Sequence, residues 1–305
     1  MLQAASRGYA PTLSMGKVEE PALIMHIGDA WDKSVMRVNQ SAWIIAKNIR
    51  HNITRQFPQF TAYDAQPYQH IAIVGGGWSL NDPKVYEELR QLYFEGTKLV
   101  ALNGAGKWLM ERNMRPSMMI CMDSRPQNIE FLRDPIPNCK YLIASQCDPS
   151  MFDICEDRDT TIFHLYCDAD DEEKHSATIN AHLDNFYNKR WTKVPTAGTA
   201  GICAPMMCRM LGFEFQHLFG IDSCYAPTGE HHAYPQSWND DEGAVLFEAS
   251  DGRVFRASAW QASQAQTFVE MISVHGNQIQ MSVHGDGLIA HLLKIAATKS
   301  TLQET

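Results

Sequence analysis

Apolar residues fall in short unbroken runs that alternate with stretches of helical spacing. The first clear run, Ile71–Val74, is stopped at once by Gly75-Gly76-Gly77. A run that short, ended by glycines, reads as a buried strand entering a tight loop. Val85, Leu89 and Leu92 follow at helical spacing, with Asp82 placed to cap that helix and Pro83 in its first turn. Further strands are expected at Lys98–Leu102, Met118–Met122, Tyr141–Ala144, Ile162–Leu165 and Gln216–Gly220, and helices near 83–95, 105–113, 127–133, 178–188 and 201–211. Such alternation predicts an α/β fold, a mostly parallel sheet with helices on both faces.

Additions flank this core. Residues 1 to about 20 lack pattern and read as an arm. From Trp31, the repeat of Val35, Val38, Ala42, Ile45 and Ile49 predicts an amphipathic helix, for which the main domain or a second copy of the chain are both candidate partners. Beyond 225 lies a polar, aromatic loop, Ala226 to Asp241, long enough to act as a lid or substrate loop. Asp251-Gly252 marks a hairpin between Leu246–Glu248 and Val254–Arg256. A helix from Ala259 to about Val274, a strand at Ile279–Val283 and a last helix after Gly287 complete the chain. The expected organisation is an arm and helix over 1–66, an α/β core over 67–225, and a lid, hairpin and helices over 226–305 that finish the same domain.

In a parallel sheet, ligands bind beyond the carboxyl ends of the strands. Those ends carry Gly75, Gly76 and Gly77 with Ser79, then Asn103-Gly104, Asp123-Ser124, and Asp222-Ser223 with Cys224 and Tyr225. A glycine loop leading into a capped helix presents amides and a positive dipole end to an anion, or it is only a tight turn. Thr196-Ala-Gly198-Thr199-Ala-Gly201 opens another helix the same way, or serves close packing. His231 and His232 lie in the long loop and titrate near neutrality, so either is a candidate acid or base, or is merely exposed. The Asp168–Glu173 acidic run reads as a solvated loop more than a metal site.

Net charge is −9 over 305 residues, and no basic stripe appears, so no charge-driven nucleic-acid surface is expected. The eight cysteines form no C-x-x-C pair, and no signal segment or membrane-length apolar run occurs, which points to reduced thiols and a cytoplasmic protein. The N-I-T triplet at Asn52 is then a chance sequon. The chain carries no G-x-G-x-x-G, P-loop, H-E-x-x-H, zinc-type cysteine set or G-x-S-x-G elbow.

The set I-V-G-G-G-W-S-L (73–80), A-L-N-G-A (101–105), C-M-D (121–123) and L-G-F-E-F-Q-H-L-F-G-I-D-S-C-Y (211–225) resembles the MptE-like family, formerly a domain of unknown function. That family includes an archaeal 6-hydroxymethylpterin diphosphokinase, flagellin-modifying motility-accessory proteins and many phage members. The resemblance covers roughly 70 to 225. H-A-Y-P-Q at 232–236 and V-H-G-D-G-L-I at 283–289 look most like the phage members, which would place the protein in a host cytoplasm. The same landmarks are more distantly similar to bacterial sialyltransferases with a Rossmann-like domain and a lid.

That second likeness implies a CMP-sugar held by Gly75, Gly77, Ser79, Asn103, Thr196 and Gly198. Tyr225 would aid the departing phosphate, and His232 or His231 would be the base. The diphosphokinase likeness instead implies ATP with magnesium, shared by Asp123, Asp222 and Asp286. The third strand end, M-D-S-R-P, offers only Asp123 where that reaction wants more carboxylates. Trp78 stands where relatives usually have proline, and either stacks on a ligand or packs.

The leading expectation is therefore a transferase moving a sugar from a CMP- or UDP-type donor to a hydroxyl acceptor, with no permanent cofactor and no bound metal. Gly76, Asp123, Thr199 and Asp222 join the nucleotide-binding candidates. Diphosphoryl transfer from ATP to a hydroxymethyl pterin or modified base is the rival. A non-catalytic nucleotide-binding protein is the third reading.

Overall fold

A computed structural model describes residues 25–27, 40–63, 66–166, 192–195, 199–236, 244–275 and 279–303. In chain order these form β1 (Met25–Ile27), α1 (Ala42–Asn52), β2 (Gln66–Val74), α2 (Pro83–Phe94), β3 (Lys98–Leu102), α3 (Ala105–Met110), β4 (Met118–Cys121) and β5 (Lys140–Ala144). There follow α4 (Pro149–Asp153), β6 (Thr160–Tyr166), β7 (Lys193–Pro195), α5 (Ala200–Met210), β8 (Phe213–Phe219), β9 (Val245–Glu248) and β10 (Val254–Ala257). The last are α6 (Ala259–His275), β11 (Gln280–Val283) and α7 (Leu288–Gln303).

Eight strands make one parallel sheet in the order β11-β8-β2-β3-β4-β5-β6-β7. The fold is α/β and Rossmann-like. Ile71, Ala72, Ile73 and Val74 are fully buried, as parallel strands covered on both faces require. The chain steps outward from β2 through β7, then returns through β8 to the other side of β2. The strand order therefore reverses at β2, and its carboxyl tip, flanked by those of β3 and β8, is the crevice where such sheets take ligands.

The helix after the glycines forms for the expected local reasons. Asp82 accepts from the Lys84 and Val85 amides at 2.8 and 3.2 Å, Pro83 occupies the first turn, and Val85, Leu89 and Leu92 are buried along one stripe. Gly96, at φ +92°, ends it in the left-handed region that suits glycine.

The N-terminal helix is capped by Ser41 and begins at Ala42; the earlier part of its expected span lies outside the described residues. Its apolar stripe packs on the chain itself. Asn52 is fully buried and donates to the Ser145 and Cys147 carbonyls at 3.0 and 2.7 Å, fastening α1 to the end of β5. The segment 126–132 is a 3-10 helix rather than an α-helix. The expected helix at 178–188 and the acidic run at 168–173 lie outside the described residues.

The hairpin forms as expected, β9 with β10, and β1 adds a third antiparallel strand to it. Between this small sheet and α7, Arg253 pairs with Asp286 at 2.6 Å and His291 with Asp251 at 3.0 Å. The free cysteines at 121, 139, 147, 155, 203, 208 and 224 are all buried. No described helix is long and apolar enough to cross a membrane.

Candidate functional site

The glycine turn is shaped by what lies beneath it. A Cβ on Gly75 would come within 2.5 Å of the Gly220 carbonyl oxygen, and one on Gly77 would run into that oxygen and the Asp222 carboxylate. Glycine at both places lets the turn press onto the tip of β8. There the Gly75 amide donates to Phe219 and the Gly77 amide to Gly220, each at 2.8 Å. The Ser79 amide donates to Asp222 Oδ2 at 2.9 Å. Amides expected to face an anion are thus taken up inside the fold at three of these positions.

Asp222 is the anchor of this arrangement. It is buried, with the turn on one side and Gly285 and Gly287 on the other; a Cβ on Gly287 would sit 2.6 Å from Asp222 Cα. Gly285 has φ +106° and lies against Ser79. The H-G-D-G sequence is therefore a close-packing motif. Burial pushes the Asp222 carboxyl up to about 6, while the Ser79 amide that donates to it pulls the other way.

The loop after β8 folds back over the turn. Gly77 pairs with His232 as an antiparallel bridge, the Ala233 amide donates to the Gly76 carbonyl at 3.0 Å, and Asn81 Nδ2 donates to the Ala233 carbonyl at 2.9 Å. The Tyr234 ring lies between two strand tips: a Cβ on Gly76 would be 2.7 Å from its hydroxyl, and one on Gly104 would be 2.7 Å from Cε2. Both glycines leave room for that one side chain, which the sequence did not single out. Burial drives the Tyr234 phenol upward, so it stays protonated.

His232 Nδ1 is 3.2 Å from the Gly76 carbonyl. A carbonyl only accepts, so Nδ1 carries the proton and Nε2 the lone pair. Burial, then the neighbouring His231, lowers His232 to about 4. The two imidazoles stack at 4.0 Å, and His231, also lowered by burial, meets Tyr225 at 5.2 Å and Trp260 at 5.9 Å. The Arg256 guanidinium lies 5.3 Å from the Tyr225 ring, whose amide donates to the Arg256 carbonyl at 2.8 Å. Trp260 and Arg256, contributed from beyond the loop, join the candidate site through tertiary packing.

The other strand tips differ in what they offer. Asn103, at φ +49°, has a buried Oδ1 without a hydrogen-bond partner. Asp123 is held by Arg125 through a contact as short as 2.6 Å. Thr199 begins α5 beside Ile221, which Gly201 approaches closely, so this helix start lies by the β8 tip. Thr196 and Gly198 lie outside the described residues. Trp78 is half-buried and packs on the core.

The structure thus brings together Gly75, Gly76, Gly77, Ser79, Asn103, Asp222, Tyr225, His231 and His232 around the tips of β2, β3 and β8. It does not gather Asp123, Asp222 and Asp286 into one ligand set: the first closes on Arg125, the second on Ser79 and the third on Arg253. Among the described residues no group of three or more histidine, cysteine or acidic side chains is arranged to hold a metal ion.

No protein-family model matches the sequence, and a search of curated proteins finds no match. Among solved structures, the chain is similar to a MAf glycosyltransferase from Magnetospirillum magneticum AMB-1, with a TM-score of 0.54 at 12% identity over 87% of this chain. The matched region is 43% of that larger chain. At that identity the likeness establishes a shared fold: this chain has the α/β architecture found in a glycosyltransferase.

Proposed function

We propose that the protein is a nucleotide-dependent transferase of the MptE-like kind, which moves a sugar from a nucleotide-sugar donor to a hydroxyl acceptor. One observation carries the reading: a loop bearing His232 is hydrogen-bonded across the glycine turn at the point where the strand order reverses, with the imidazole proton held on Nδ1 by the Gly76 carbonyl. The fold shared with a glycosyltransferase is consistent with it. The nucleotide lies over the tips of β2 and β3, reached when Tyr234 yields its place between Gly76 and Gly104. Asn103 Oδ1 is the acceptor side chain waiting there, and the amino end of α5 at Thr199 faces the phosphate.

In the reaction, the acceptor oxygen attacks the anomeric carbon as His232 Nε2 takes its proton, and the bond from that carbon to the donor phosphate breaks. The charge released onto the phosphate is met by the Tyr225 hydroxyl or the α5 dipole. Asp222 serves this site from below by fixing the turn. Magnesium-dependent diphosphoryl transfer would require Asp123 to leave Arg125.

Calorimetric titration with CMP, UDP, GDP and ATP, each with and without magnesium, tests the proposal. Binding of CMP or UDP without added metal is expected. Binding confined to ATP with magnesium would replace sugar transfer with the diphosphokinase reading.

A further inference from the structure

Away from the strand tips, three histidines from successive strands join in a line across the sheet. His70 Nδ1 on β2 is 3.1 Å from His217 Nε2 on β8, and His217 Nδ1 is 3.2 Å from His284 Nε2, just past β11. His284 Nδ1 ends the line 2.7 Å from the Glu88 carboxylate on α2. The rings are held face to face by neighbours: His70 stacks on Phe215 at 4.8 Å and His284 on Phe219 at 4.0 Å. His217 and His284 are buried, and His70 is exposed.

The carboxylate sets the direction of every bond. It only accepts, so His284 Nδ1 donates and His284 Nε2 accepts from His217 Nδ1; His217 Nε2 then accepts from His70 Nδ1. All three rings share one tautomer, and the bare Nε2 of His70 is left at the outer end.

We propose that His70, His217 and His284 form a single proton relay that takes a proton from solvent at His70 and places its charge at the His284–Glu88 contact, where α2 meets the sheet. The transfer balances: solvent protonates His70 Nε2, the Nδ1 proton of His70 passes to His217 Nε2, and that of His217 passes to His284 Nε2. His284 becomes an imidazolium beside the carboxylate, and the other two rings are neutral with reversed tautomers. Facing the line are Glu88 on α2, Lys84 one turn before it at 4.0 Å, and Asp222, 3.6 Å from where a Cβ on Gly285 would stand. Glu88 is the carboxylate that touches a ring, so the relay accommodates one added proton beyond the three N–H protons of the neutral line. Burial keeps all three rings below the ordinary histidine range, so the resting relay is neutral. The charge reaches both α2, which follows the glycine turn, and Gly285, which lies under Ser79. This device does not depend on what the strand tips bind.

Imidazole ¹⁵N spectra of histidine-labelled protein at neutral pH test the relay. The three rings are expected to carry the proton on Nδ1, the less common form for a free imidazole. In Glu88→Lys the ammonium can only donate, so the tautomer of His70, two rings away, is expected to switch to Nε2–H. A wild-type spectrum with Nε2–H at His217 or His70 would overturn the proposal. So would a folded Glu88→Lys variant in which His70 keeps its tautomer.

Discussion

His232 illustrates how a residue is prepared by its surroundings. Its Nδ1–H is spent on Gly76, its ring is stacked on His231, and burial holds it at about 4. A base whose native value is lowered stays unprotonated across the neutral range and fails only in acid. The acid limb of kcat/KM is therefore expected near pH 4 to 5, and a limb near 6.5 would show that another group is the base. His232→Ala should lower kcat by roughly 10²–10⁴, the usual worth of general base catalysis, whereas His231→Ala should act through packing and cost far less. Asp222 shows the opposite preparation: a carboxyl at the strand tip whose oxygen is turned inward to hold a backbone amide.

At the scale of elements, the glycine turn is a joint among β2, β8 and the segment after β11. Gly77→Ala would force a methyl into Asp222 and the Gly220 carbonyl, and backbone on that side cannot yield. A stability loss on the order of 2–3 kcal/mol or more is expected by chemical denaturation, as for other substitutions that overpack a core. A loss below about 0.5 kcal/mol, the level of an ordinary surface change, would mean that the turn is looser than drawn.

This joint also combines short-range and long-range contacts. The strand, the three glycines, Asp82 and Pro83 were legible because each acts within a few residues of its partner. Asp222 beneath Gly77, Tyr234 between Gly76 and Gly104, and Arg125 on Asp123 were not, since two of these contacts cross much of the chain and the third turns on a side-chain choice. β7 is not legible in the sequence, because a strand of three residues, Lys193–Pro195, has no period to read. α4 is similarly brief, set by Asp148 and Pro149 alone.

For the whole molecule, the buried histidines impose a direction on acid stability. His164 and His217 are held at about 3 and about 4, and His232 at about 4, chiefly by burial, while the unfolded chain binds protons near 6.5. Between those values the unfolded state carries more protons, so stability falls as pH drops below 6.5, by up to about 1.4 kcal/mol per pH unit for each histidine. Asp222, raised to about 6, works the other way by favouring the native state as pH falls, and it offsets one of the three. Denaturation midpoints should decline from pH 6.5 to pH 5; a flat or rising profile would contradict this balance. The parallel order of the sheet was legible from alternation alone, but the reversal at β2 was not, because strand adjacency is a property of the packed molecule.

The central claim is that a nucleotide occupies the meeting point of the β2, β3 and β8 tips. Backbone amide NMR during titration with CMP and UDP addresses it most directly. Saturable shifts are expected at Gly76, Asn103, Gly104, Thr199 and residues 231–234, with those of the outer strands β6 and β7 unmoved. No saturable shift with either nucleotide, or shifts confined to another part of the fold, would contradict it.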